Sequence, residues 1–217
     1  MNSVPAGKRY KPDGAESDKA LRGTLEGGNG VKKRRRSNVL LMLEILIFLA
    51  LNWGGDRLTA GLGWPVWLDS VGTVMSAYLL GPVCGAIVGA TSNLLAHILY
   101  GTPWFYALVS ILIALITGTA ARKNKLDSLF DVLTISAILA VAVAVGAYPI
   151  NLLLNGGRTG NLWGDAVMGF LGERGIPAWA GLFAGELYVE LMDKLAILLA
   201  LFLFVRLYRL IRKAIHP

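Results

Sequence analysis

The apolar positions of this chain fall into runs, and the clearest pair lies between Trp67 and Tyr100. WLDSVGTVMSAYLL and VCGAIVGATSNLLAHILY meet at Gly81-Pro82, which stops one helix and starts the next. The pair reads as a helical hairpin. In its second arm Gly85, Gly89, Asn93 and His97 recur every fourth residue and share one helix face. Glycines at one end of that face allow close packing. Asn93 and His97 at the other end have no place against lipid and are expected to line something wet.

Further runs at 39–53, 104–121, 129–154 and 187–205 join 68–80 and 83–100. About 20 apolar residues cover a hydrocarbon core of roughly 30 Å, so these six segments predict six membrane crossings. The fold class that follows is an all-α membrane protein, a bundle of six transmembrane helices. The run at 39–53 is short for a span. Gly54-Gly55-Asp56-Arg57 after it is a poor processing site, so a short first helix is expected rather than a cleaved leader. Residues 155–186 are Gly-rich, less apolar, and hold Arg158, Asp165, Glu173 and Arg174. They are expected to form an outer loop with an interfacial or re-entrant helix, a candidate lid.

Charge adds direction to this picture. Residues 1–38 carry ten Lys/Arg against four Asp/Glu, the remainder eleven against ten. Nearly all of the net +7 therefore sits in an N-terminal stretch without apolar period, expected to be a disordered basic tail. The transmembrane domain is placed at 39–210, with a second short basic tail at 211–217. Lys32 to Arg36 precede the first segment, Arg122, Lys123 and Lys125 follow the fourth, and Arg206, Arg209, Arg212 and Lys213 follow the sixth. The opposite side receives Arg57, Arg158 and Arg174. By the positive-inside rule both termini are cytoplasmic. The basic residues read as membrane anchors, so nucleic acid is not expected as a partner. Overall composition agrees with a membrane chain: 55% hydrophobic, 16% charged, mean hydropathy +0.57.

With this topology the polar residues gather in the outer half. Asp69 opens the second segment, Asn93 and His97 lie near the outer end of the third, and Tyr148 and Asn151 close the fifth. Glu186 and Glu190 stand one turn apart on the sixth, followed by Asp193 and Lys194. A charge at the bilayer centre costs roughly 2.5–3.5 kcal/mol, so these groups must pair or face a cavity. Glu190 and Lys194 have the i,i+4 spacing of an ion pair, which would also account for them as a structural clasp. All six Trp fall toward the outer side, and Trp53, Trp64 and Trp104 are candidates for stacking on a ligand. An interfacial aromatic belt is the simpler alternative.

Several chemistries have no residues to carry them. No phosphate-loop pattern occurs, and neither H-E-x-x-H nor G-x-S-x-G is present. One Cys, Cys84, and two His leave no Cys/His metal cluster. No catalytic residue, metal or cofactor is expected.

The series Trp67-Leu68-Asp69-Ser70-Val71-Gly72-Thr73, Leu79-Leu80-Gly81-Pro82, Gly85 to Gly89 and Ser92-Asn93-Leu94 resembles the substrate-binding S components of energy-coupling factor (ECF) vitamin transporters. Gly185-Glu186-Leu187 through Asp193-Lys194-Leu195 adds to the likeness. The resemblance implies a multi-pass protein of a prokaryotic plasma membrane that captures a vitamin-like small molecule from outside. It also implies a transmembrane coupling protein and two ABC-type ATPases as partners, which use the ATP. Small-xxx-small spacing in the first helix serves docking in this family. Here that spacing is Ala50 to Gly54, near the outer end of the segment. Alternatives of other classes are a self-sufficient small-solute transporter or channel and, further off, a membrane enzyme.

Overall fold

A computed structural model of the chain describes residues 38–215. The expectations for the N-terminal tail and its Lys32–Arg36 cluster lie outside these residues. Among the described residues all regular structure is helical, in seven helices. They are α1 (Asn38–Leu62), α2 (Val71–Leu80), α3 (Pro82–Tyr100), α4 (Tyr106–Arg122), α5 (Leu129–Leu154), α6 (Leu162–Gly172) and α7 (Ala178–Ile215). Three of them, α1, α3 and α5, are long and apolar enough to cross a membrane.

The first helix is not short. It runs 25 residues, straight through Gly54-Gly55, and spans roughly 37 Å at 1.5 Å per residue. Gly55 serves an approach rather than a stop: a Cβ there would collide with the Leu68 carbonyl of the following loop. The second expected crossing is only partly helix. α2 has 10 residues, about 15 Å, half of a hydrocarbon core. Residues ahead of it, from Trp64 to Ser70, form a loop, and Asp69 sits in that loop rather than in a helix. The helix expected in 155–186 is α6, 11 residues long and capped by Asn161, whose side chain accepts from the Trp163 N–H at 3.0 Å. The C-terminal basic residues expected as a tail from 211 belong to α7 as far as Ile215.

Small residues set the packing. α2 touches α1, α3, α4 and α7, and Gly72, Thr73, Val74, Ser76 and Ala77 are buried in it. Each is slim enough to let neighbouring backbones close in. On α3, a Cβ at Gly85 would stand 2.6 Å from the Ala77 Cβ, and one at Gly89 would stand 2.8 Å from the Ser110 Cβ of α4. At the hairpin turn Gly81 has φ 99°, a conformation open to glycine, and Pro82 is the first residue of α3. A Cβ on Gly118 of α4 would lie 2.7 Å from Pro82, so the turn is seated against α4. α5 and α7 pack along their length around Leu139, Val143, Ile197 and Leu198. α6 rests on α7, where a Cβ at Gly185 would collide with the Gly164 carbonyl.

The two ends of the bundle differ. At one end Arg209 of α7 holds Asp127 of the α4–α5 loop at 2.9 Å, which joins the two basic clusters on one side. Ser128 caps α5 there, accepting from the Asp131 N–H at 3.1 Å while its hydroxyl donates to the Asp131 carboxylate at 2.7 Å. The opposite end carries the cavity.

Candidate functional site

The cavity has a volume of about 420 Å³ and draws its wall from α1, α3, α4, α5, α7 and the loops at 63–70, 101–105 and 155–161. Its floor is set by a cap made across helices. Asn52 of α1 is buried, and its side-chain oxygen accepts from the N–H groups of Gly72 at 2.7 Å and Thr73 at 3.1 Å. Its amide donates to the Thr73 hydroxyl at 2.9 Å. Ser70, the residue in the N-cap position of α2, makes no side-chain cap bond, so Asn52 satisfies the orphan donors instead. Gly72 permits this approach, since a Cβ would overlap the Phe48 carbonyl of α1.

α7 supplies a buried ionic cluster to the wall through Glu190 and Lys194, with Asp193 beside them. Lys194 Nζ lies 2.6 Å from Asp193, 3.0 Å from Glu190 and 3.2 Å from the Ser70 hydroxyl. The other Asp193 oxygen accepts from the N–H groups of Trp67 at 3.0 Å and Leu68 at 2.7 Å. These bonds hold Leu68 at φ 51°, a left-handed conformation that costs a non-glycine residue roughly 1–2 kcal/mol. On the other flank of the loop the Thr59 hydroxyl of α1 donates to the Trp67 carbonyl at 2.7 Å. The loop is thus pinned between α1 and α7, and Asp69 stands on it with its surface open to the cavity.

Higher on the wall runs a relay of amides and oxygens. The Tyr106 hydroxyl of α4 donates to the Asn151 side-chain oxygen, and the Asn151 amide donates to Glu186 at 2.7 Å. Asn151 is buried on α5 and Glu186 on α7, so this relay ties three helices together at the cavity. The Asn93 amide of α3 donates to the Ser110 hydroxyl of α4 at 2.7 Å and to the Gly89 carbonyl at 3.1 Å. Aromatic surface comes from Trp53, Trp67, Tyr100 and Tyr106. The Trp53 and Tyr100 rings lie 6.3 Å apart, with the Arg57 guanidinium 4.5 Å above Tyr100.

The loop from 155 to 161 borders the cavity through Asn155, Thr159 and Gly160. Asp165 accepts from both the N–H and the hydroxyl of Thr159 at 2.8 Å, which folds this loop onto the start of α6. Trp163 then donates its indole N–H to the Gly63 carbonyl at 2.8 Å, joining it to the other pinned loop. The helix of the expected lid, α6, packs on α7, and the loop ahead of it borders the cavity.

Six of the residues singled out from sequence meet on this wall: Trp53, Asp69, Asn93, Asn151, Glu186 and Glu190. Four others do not line it. His97 is exposed, and its Nδ1 lies 2.7 Å from the Thr102 carbonyl, an acceptor to which it donates across the α3–α4 turn. Trp104 stacks on Phe105 at 4.1 Å, Trp64 is 48% exposed, and Tyr148 meets Phe183 edge-on at 5.8 Å. Asn52, Trp67 and Tyr106 line the cavity without having been singled out from the sequence, and Lys194, expected either to pair or to face a cavity, does both. Asn52 carried a signal, being an amide inside an apolar segment. Ala50 and Gly54 lie on the exposed face of α1, and nothing stands within 4 Å of a Cβ placed on Gly54.

Apolar helices of spanning length around a polar cavity make this an integral membrane protein. Residues 59–155 match the family model described as "ECF-type riboflavin transporter, S component", and the likeness to ECF S components stands on that match. The match takes in the end of α1 and all of α2 to α5, and the family is one of transporter components, not of enzymes. No curated protein and no solved structure matches the chain.

Proposed function

We propose that this protein is the substrate-capture subunit of an ECF-type importer, and that riboflavin or a close flavin relative is its ligand. The observation that carries this reading is the cavity itself. Within and beyond the stretch that matches the riboflavin S-component model, amide, carboxylate, hydroxyl and indole groups from five helices meet around one space. Its volume of about 420 Å³ falls in the range of roughly 300–1,000 Å³ typical of small-molecule sites. In this reading Trp53, Trp67 or Tyr100 covers the face of a flat heterocycle, Asn93 and Asn151 bond its edge, and Asp69, Glu186 and Glu190 accept from hydroxyl donors.

The topology that goes with it has six crossings and cytoplasmic termini. The basic residues on α7 and the α4–α5 loop then face the cytoplasm, and the cavity opens outward, as the positive-inside rule requires. α2 completes its crossing with the help of the 64–70 loop, which borders the cavity and whose backbone at Trp67 and Leu68 is bonded to Thr59 and Asp193. The exposed small-residue strip at Ala50 and Gly54 meets the transmembrane coupling protein, and two ABC-type ATPases supply the energy. The chain then has no catalytic role. His97, Trp64, Trp104 and Tyr148 act at the rim or in packing.

Reconstitution separates capture from transport. Purified chain in liposomes is expected to bind riboflavin without accumulating it, and to accumulate it only with the coupling protein, both ATPases and ATP. Saturable accumulation by the chain alone would instead establish a self-sufficient transporter.

A further inference from the structure

A separate cleft opens at the other end of the bundle. It holds about 450 Å³ and lies between residues 126–129, which lead into α5, and the stretch of α7 from Phe202 to Arg209. On α7 the residues Phe202, Arg206, Arg209 and Lys213 fall at i, i+4, i+7 and i+11, one stripe of the helix. The stripe changes character along its length. Phe202 packs at the edge of the core with Val205, and both arginines are exposed. Residues 195–205 are apolar without a break, so Arg206 is the first charge beyond them. α7 has 38 residues, roughly 57 Å at 1.5 Å each, against a hydrocarbon core of roughly 30 Å. The helix outruns the core, and Arg206 and Arg209 stand where hydrocarbon gives way to lipid headgroups.

These arginines are only partly engaged. Arg209 donates to Asp127 at 2.9 Å, and Asp127 is the one carboxylate among the described residues that line the cleft. A guanidinium carries five N–H donors, so most of that fork is left over. Arg206 lies 5.8 Å from the Phe202 ring, and the ion pairs among the described residues do not include it.

We infer that this cleft holds the phosphodiester headgroup of an anionic phospholipid, with Arg206 and Arg209 on the phosphate and an acyl chain along Phe202 and Val205. The site is independent of the capture cavity and of what that cavity binds. Charge complementarity selects the occupant, because a guanidinium fork matches phosphate oxygens two at a time. Basic pockets between transmembrane helices are where anionic headgroups dock. A zwitterionic choline lipid brings a cation beside the arginines, and a free phosphate ion gains nothing from the apolar wall.

Native mass spectrometry of the full-length protein, delipidated in detergent, measures the preference between two lipids of equal chain length. Dioleoyl phosphatidylglycerol is expected to bind at least about tenfold more tightly than dioleoyl phosphatidylcholine, equivalent to about 1.4 kcal/mol. Arg206→Gln, which breaks no ion pair, is expected to bring that preference below about threefold. Arg212→Gln removes the same charge from a residue of α7 outside the cleft, and is expected to leave the preference within about twofold of its original value. Equal affinity for the two lipids on the unaltered protein overturns the inference, as does an Arg206→Gln protein that keeps the full preference. An Arg212→Gln effect as large as that of Arg206→Gln would show diffuse attraction and overturn the site. Displacement of phosphatidylglycerol by millimolar inorganic phosphate would assign the cleft to a free anion and overturn the lipid as its occupant.

Discussion

Near the cavity, both carboxylate oxygens of Asp193 are engaged. One oxygen holds the Trp67–Leu68 corner and the other neutralises Lys194. Removing one partner of a buried ion pair costs roughly 3–5 kcal/mol, because the other charge stays behind without compensation. Asp193→Ala is therefore expected to lower the apparent melting temperature in detergent strongly. Asp193→Asn, which retains an acceptor for the two backbone donors, should lower it less. Equal melting temperatures for the unaltered protein and both variants would show that the corner is held by something else. At this scale the sequence was legible wherever a local rule applied. The Glu190–Lys194 spacing announced a pair, and the 3.0 Å contact is its geometry. The links from Lys194 to Ser70 and from Asp193 to Trp67 and Leu68 join residues over 120 positions apart. No periodicity could point to them. His97 shows the limit of reading a face from spacing: it lies on the stripe of Asn93, yet one more turn brings it to the end of α3 and the reach of Thr102.

Among the elements, α2 and α3 decide how the cavity is placed. The every-fourth-residue pattern on α3 separated a packed glycine end from a polar end, and the helices meet along that division. Gly85 and Gly89 touch Ala77, Thr73 and Ser110, and Asn93 opens to the cavity. Gly85→Leu is expected to push α3 from α2 and to reduce thermal stability by several kcal/mol through overpacking. Gly101→Leu is a control for side-chain size alone where a Cβ meets nothing within 4 Å, although its φ of 73° adds local strain. Melting curves of the two variants check this, and a Gly85→Leu protein as stable as the unaltered one would contradict the packing. Element lengths were harder to read than element faces. The first segment looked short because its apolar run stops at Trp53, but Gly55 admits the Leu68 carbonyl and the helix continues to Leu62. Leu68 and Asp69 looked helical because their neighbours are apolar. Tertiary bonds from Asp193 and Thr59 hold them in a loop instead.

For the molecule as a whole, polarity along the bundle axis links sequence to proposed function. Basic residues collect at one end, where Arg209 meets Asp127, and the amide and carboxylate groups collect at the other. That division was visible in the sequence because lipid forbids unpaired polar groups and so restricts where they can fall. Which of those groups share one space was not visible, because the answer depends on how far each helix turns about its axis. In the proposed function the cavity beside Asn151 and Glu186 captures riboflavin. The most direct measurement is equilibrium titration of the purified full-length protein with riboflavin, alongside Asn151→Ala and Glu186→Ala. One site per chain is expected, saturated at or below micromolar concentration, with affinity reduced at least tenfold, about 1.4 kcal/mol, in each variant. Riboflavin that fails to bind, or that binds both folded variants as tightly as the unaltered protein, would contradict it.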